Sequence, residues 1–143
     1  MTQPETSKVL DLVLPFEPCP ASRPRVPRFG KPFYEGPYKD WMEWAHAFIR
    51  AELVTGRVAP IKGTPPLRVV ITSVRQKPQK PTYPWPARGD VDNLMKGPMD
   101  ALTHEKFWKD DNQVVDSQSL KRFTRKGEEP HTHIEVWKCE ALI

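Results

Sequence analysis

Residues 91–104 read VDNLMKGPMDALTH, with apolar side chains at Leu94, Met95, Met99 and Leu102. Spacings of three and four predict an amphipathic helix here. Pro98 lies inside it and removes one backbone donor, so a kink or a late start is expected. Before it, residues 67–74 (LRVVITSV) are rich in β-branched side chains and read as a strand. After it, residues 114–124 and 131–141 read as a final pair of strands around the 126–130 turn. Further out, residues 38–54 contain neither Pro nor Gly and repeat apolar residues at Trp41, Trp44, Ala45, Phe48 and Ile49. That is a second helical stripe, with Gly56 suited to the terminus just beyond it. Residues 8–16 alternate, with Leu10, Leu12 and Leu14 on one side and Val9 and Val13 on the other. They read as a strand buried on much of both faces. The order is β-α-β-α-β-β. It predicts a two-layer α+β domain, one unit over residues 1–143, with helices on one side of a mixed sheet.

A chain of 143 residues with 38% apolar content and five Trp is long enough for one core and too apolar for disorder. No apolar run approaches the ~20 residues that span a bilayer, and the N-terminus lacks a signal-peptide core, so a cytoplasmic protein is expected. Cys19 and Cys139 have no metal-ligand spacing and read as small residues in a reducing cytosol, with a terminal-to-terminal disulfide as the alternative. The net charge of +4 conceals a split. Residues 1–89 carry 14 basic and 7 acidic side chains, and residues 90–143 carry 8 and 11. Such asymmetry points to a polyanionic partner. Fifteen of the 17 prolines also lie at or before Pro86. Seven fall between Pro15 and Pro37, interleaved with Arg23, Arg25, Arg28 and Lys31. No regular element fits there, and an ordered loop of that length is expected to be functional. Residues 77–88 read as extended, polyproline-like chain around Tyr83 and Trp85.

The chemistry concentrates at Gly89-Asp90-Val91-Asp92-Asn93-Leu94-Met95-Lys96. Two Asp separated by one residue project the same way in extended chain, and the start of a helix favours ionised carboxylates. Convergent carboxylates repel unless a cation lies between them, and an oxygen-preferring ion such as Mg2+ is the natural neutraliser. The plainer alternative is that one of the pair is an N-cap and the other is solvated. A second pair, Asp110-Asp111, follows the helix. If that helix crosses over the sheet, one of these Asp could join Asp90 and Asp92. Residues 90–116 hold seven acids against three lysines, an excess that asks for a neutralising partner. Lys96, four residues after Asp92, is either an intrahelical ion-pair partner or an ammonium for a phosphate oxygen or a leaving oxyanion. Carboxylates, a lysine and a basic surface are what metal-assisted phosphodiester hydrolysis requires.

These residues resemble a known family. D-x-D-N-L-x-K at 90–96, D-A-L at 100–102 and W-x-D-D-x-Q-V at 108–114 look like the RusA-type Holliday junction resolvases. These are small endonucleases of bacteria and their prophages, active in DNA recombination and repair. The resemblance implies a homodimer that cuts four-way junctions symmetrically using Mg2+, or Mn2+ as a substitute. It also implies that Asp90, Asp92 and Asp111 bind the metal, that Lys96 is essential, and that Asp110 is a neighbour of less certain role. The departure is Gly97-Pro98, where the family more often has small helix formers.

The basic loops then become candidate DNA contacts: Arg23, Arg25, Arg28 and Lys31 in the first, Lys77, Lys80 and Arg88 in the second. Tyr83 or Trp85 could stack on an exposed base near the branch point. His131-x-His133 is a minor metal candidate, with an exposed edge-strand pair as the simpler reading. His104 reads as a helix-end imidazole. The rival functions are a branched-DNA-binding protein without catalysis and a nuclease preferring flaps or forks.

Overall fold

A computed structural model describes residues 7–139. The elements follow the order β1 (Lys8–Leu14), α1 (Pro37–Val54), β2 (Leu67–Arg75), α2 (Val91–His104), β3 (Val114–Phe123) and β4 (His131–Lys138), with a short 3-10 turn at Asp111–Gln113 ahead of β3. The four strands form one mixed sheet in the order β1-β4-β2-β3. The two strands predicted to close the chain therefore do not pair with each other. β3 runs parallel to β2 across the α2 crossover, and β4 lies antiparallel between β2 and β1. The end of the final predicted strand, residues 140–141, lies outside the described residues.

The core lies between the helices and one face of the sheet. Leu10, Leu12 and Leu14 of β1, Leu67, Val69 and Ile71 of β2, and Ile134 and Val136 of β4 pack with Trp41, Ala45 and Ile49 of α1 and Ala101 and Leu102 of α2. β1 is buried on this one face, not on both. Asp11 and Val13 point to the open side because β1 is an edge strand with no helix over its other face. Trp44, predicted within the α1 stripe, is 56% exposed and packs edge-on against Phe16 at 5.9 Å. No helix among the described residues is long and apolar enough to cross a membrane.

α2 runs unbroken through Gly97-Pro98. A Cβ at position 97 would lie 2.8 Å from Cζ3 of Trp41, so glycine lets the α1 indole sit directly on the α2 backbone. The departure from the family pattern is thus a packing device. The missing Pro98 donor is accommodated without ending the helix.

β3 differs from the other strands. Its residues level with Val69, Ile71 and Ser73 of β2 are Ser117, Ser119 and Lys121. A face that is apolar elsewhere is polar here, and it holds the start of α2. Ser119 Oγ donates to the carbonyl of Val91 at 2.7 Å, and Lys121 Nζ donates to that of Gly89 at 3.0 Å.

Candidate functional site

Asp90 occupies the N-cap position of α2 with extended backbone, yet its side chain makes no capping hydrogen bond. Asp92 lies in the first turn. Both are exposed, and neither carboxylate has a hydrogen-bond or ion-pair partner among the described residues. Asp90 is thus the N-cap by position, as the plainer alternative has it, but without the side-chain hydrogen bond that makes a cap stabilising. The preceding Gly89 adopts φ +91°, and a Cβ there would lie 3.2 Å from Cβ of Pro20, while the Ala21 amide donates to the carbonyl of Asn93 at 2.9 Å. The proline-rich loop is thereby pinned onto the first turn of α2.

Lys96 turns away from Asp92 and pairs with Asp100 one turn later, Nζ to Oδ2 3.0 Å. Asp100 belongs to the D-A-L segment, and sequence reasoning assigned it no role. Asp111 lies within electrostatic reach of both. Burial and the hydrogen-bonded Asp110, with the charge of Asp100, hold the Asp111 carboxyl above its ordinary value, and Lys96 acts in the opposite direction.

The 109–113 turn explains its own sequence. Gln113 is buried, and its Oε1 accepts from the amides of Lys109 and Asp110, both at 3.1 Å. Its Nε2 donates to the carbonyl of Pro65 at 3.1 Å. Asp110 Oδ1 accepts from the amide of Asn112 at 2.9 Å, completing a capping box. Asp110 thus builds the turn, and Asp111 is presented at the surface.

Two groups of described residues bring three potential ligand atoms within 4.8 Å of one another: His46–His104–Glu105 and Asp11–His133–Glu135. Asp90, Asp92 and Asp111 are not such a group. The start of α2 is tied to Ser119 and Lys121, midway and late along β3, whereas Asp111 precedes the first residue of that strand. The donor set is nonetheless all carboxylate oxygen, solvent-exposed and, at Asp90 and Asp92, without an internal counter-ion. That chemistry fits a hard divalent cation.

The predicted basic residues lie on the loops before α1 and before α2. Arg23, Arg28, Lys31, Lys77, Lys80 and Arg88 are all exposed. Arg25 is exposed as well and is ion-paired to Glu35, and Arg28 lies over the Phe29 ring at 5.8 Å. Tyr83 and Trp85 are about half exposed and stack on each other, centroids 5.1 Å apart and planes 18° apart. A cleft of about 960 Å³ separates this loop from the β3–β4 turn, with Lys77, Tyr83, Arg125 and Lys126 in its walls. The sequence reading did not include Arg125 and Lys126, because their approach to the 77–88 loop depends on the β2–β3 pairing. Arg122 on the same wall is neutralised by Glu128, whose carboxyl this hydrogen bond pulls down to about 2.

The two histidines of β4 are not on an edge strand, since β4 lies between β1 and β2. His133 Nε2 contacts Asp11 at 2.6 Å, and Lys8 Nζ bridges Asp11 at 2.7 Å and Glu135 at 2.8 Å. Both cysteines are free thiols.

Comparison with known proteins adds two findings. A family described as endodeoxyribonuclease RusA matches residues 15–137. Proteins named crossover junction endodeoxyribonuclease RusA, from Escherichia coli strain K12, Shigella sonnei strain Ss046 and Enterobacteria phage 82, are each 52% identical to this chain over 40 residues. That stretch is 28% of this chain, and it spans about a third (33%) of the length of each relative.

Proposed function

Because the chain belongs to the RusA endodeoxyribonuclease family, we propose that it is a metal-dependent, structure-specific endonuclease that resolves four-way DNA junctions by paired phosphodiester cuts, acting as a homodimer. The observation that carries this reading is the clamp between Ala21 and Asn93. It ties the start of the cationic loop to the first turn of α2, beside the unpartnered carboxylates of Asp90 and Asp92, which supports reading the two as one working surface. A protein that only bound DNA would gain nothing from bare acids beside its phosphate contacts.

In this reading, which rests on the family resemblance and not on their present spacing, Asp90, Asp92 and Asp111 are the residues that hold Mg2+, with Mn2+ able to replace it. When bound, such a cation supplies Lewis acidity, offsetting phosphate charge and promoting ionisation of the attacking water. Lys96 presents its ammonium to a phosphate oxygen, and Asp100 keeps that side chain extended along α2. Gly89 lets the loop approach the helix start, and Ser119 and Lys121 fix the carbonyls on either side of Asp90. Arg23, Arg28, Lys31, Lys77, Lys80 and Arg88 follow the DNA backbone, with Arg25 joining when it leaves Glu35. Tyr83 and Trp85 stack on bases exposed at the branch point. A two-fold dimer matches the near two-fold symmetry of a four-way junction and places one site on each of two equivalent strands.

The test is incubation with labelled four-way junctions, forks, flaps and linear duplex, with Mg2+ and with EDTA. Symmetrical incision of the junction in Mg2+ alone is expected. Tight junction binding without incision would make the protein a branched-DNA binder, and preferential cutting of flaps or forks would redirect the substrate assignment.

A further inference from the structure

Away from the aspartates, α1 and the end of α2 bring together a second kind of donor set. Glu105, the C-cap of α2, has a side chain only 7% exposed. Its Oε2 lies 3.0 Å from Nδ1 of His46 on α1 and 3.8 Å from Nε2 of His104. Arg50 grips the same carboxylate with a fork, Nε to Oε1 and Nη2 to Oε2, both 2.9 Å. The two imidazole rings meet edge to face with centroids 4.3 Å apart.

An ion pair between helices accounts for Arg50 and Glu105, and a hydrogen bond to the same carboxylate holds His46, which leaves His104 over. The His104 contact at 3.8 Å is too long for a hydrogen bond. Two imidazoles in ring contact repel if both are protonated, and they gain most if one cation lies between them. We propose that His46, His104 and Glu105 form a zinc-class transition-metal site, separate from the aspartate site and joining α1 to α2.

Two imidazoles and one carboxylate are a common zinc donor set, with a fourth position left for water. Bonds of ~2.0–2.1 Å in tetrahedral geometry place ligand atoms roughly 3.3 Å apart. The two separations from Glu105 Oε2, 3.0 and 3.8 Å, bracket that figure, all three ligand atoms lie within 4.8 Å of one another, and His104, 69% exposed on its side chain, has room to move inward. Arg50 then acts as the outer partner that orients the carboxylate. His46 then presents its Nδ1 lone pair, which requires the tautomer that carries the proton on Nε2. A hollow of about 490 Å³ beside the two histidines, lined also by Tyr34, Met42 and Asp100, opens the site toward the Lys96–Asp100 pair. The other three-ligand group, Asp11–His133–Glu135, offers a single imidazole, and the Lys8 ammonium bridges its two carboxylates where a cation would lie.

The experiment titrates Zn2+ into the full chain carrying Asp90→Asn and Asp92→Asn, in excess Mg2+, by calorimetry. Co2+ absorption reports the coordination geometry. One Zn2+ per chain is expected, with a tetrahedral Co2+ spectrum. His46→Gln or His104→Gln each weakens binding by about tenfold or more, and Arg50→Ala by ~10–100-fold. His133→Gln leaves it unchanged. His104 is exposed, so its variant folds whatever the fate of the others, and circular dichroism checks all of them. Absence of binding up to millimolar Zn2+, or undiminished affinity in His104→Gln, overturns the site.

Discussion

The two acidic pairs of this chain look alike in sequence and are used differently. At Asp90 and Asp92 the backbone is held from outside, by Ser119, Lys121 and the Ala21 amide, and the carboxylates are left bare. At Asp110 and Asp111, both exposed, the first carboxylate spends an oxygen on holding the backbone and the second holds no backbone group among the described residues. An acid that builds structure and an acid left available for chemistry can therefore be adjacent, and the hydrogen bonds tell them apart where spacing cannot.

The largest expected effect follows from the bare pair. Asp90→Asn removes a ligand charge and almost no shape, with no cap to lose. Several kcal/mol of charge stabilisation is at stake, on the order of a thousandfold or more in rate. Junction incision should disappear while junction binding, measured by gel shift, persists. Retained cutting would break the assignment.

The braced pair predicts a smaller change through structure. Gln113→Ala orphans the Pro65 carbonyl and the amides of Lys109 and Asp110. A cost of ~1–3 kcal/mol is expected in chemical denaturation. Incision slows because Asp111 loses its support. Unchanged stability would show that the turn stands without Gln113.

The smallest effect lies outside both pairs, on the open face of the sheet. The hydrogen bond from Lys8, opposed by desolvation and helped by His133, holds the Asp11 carboxyl below its ordinary value. A depressed carboxylate adds stability above its unfolded pKa of ~3.9 and loses it as pH falls through the folded pKa. Asp11→Asn should therefore be modestly less stable at neutral pH, with the gap closing below about pH 4. Because Asp11 is half exposed, solvent screens the effect. A gap constant with pH would mean that packing, not charge, is responsible.

Local periodicity carried much of the fold into view. In the α2 stripe Leu94 and Leu102 are buried and Met95 and Met99 partly so, and the alternating Leu10, Leu12 and Leu14 are buried. The insertion of β4 between β1 and β2 was not legible, because strand order depends on pairings between residues far apart in sequence. Trp44 misled because a helical stripe wider than its neighbour leaves one edge in solvent. In the site, residue types and spacing pointed to Asp90, Asp92, Lys96 and Asp111. They did not show that Lys96 turns to Asp100 or that Gln113 is the brace, since both depend on how side chains are satisfied in three dimensions.

The most direct measurement is junction incision in Mg2+ by Asp110→Asn and Asp111→Asn side by side, with binding measured in parallel. Asn at 110 keeps an oxygen for the Asn112 amide, so that variant should cut within about tenfold of the parent. Asp111→Asn should bind and not cut. The reverse pattern, with Asp110→Asn inert and Asp111→Asn active, would contradict the division of labour between the two acids and the metal role given to Asp111.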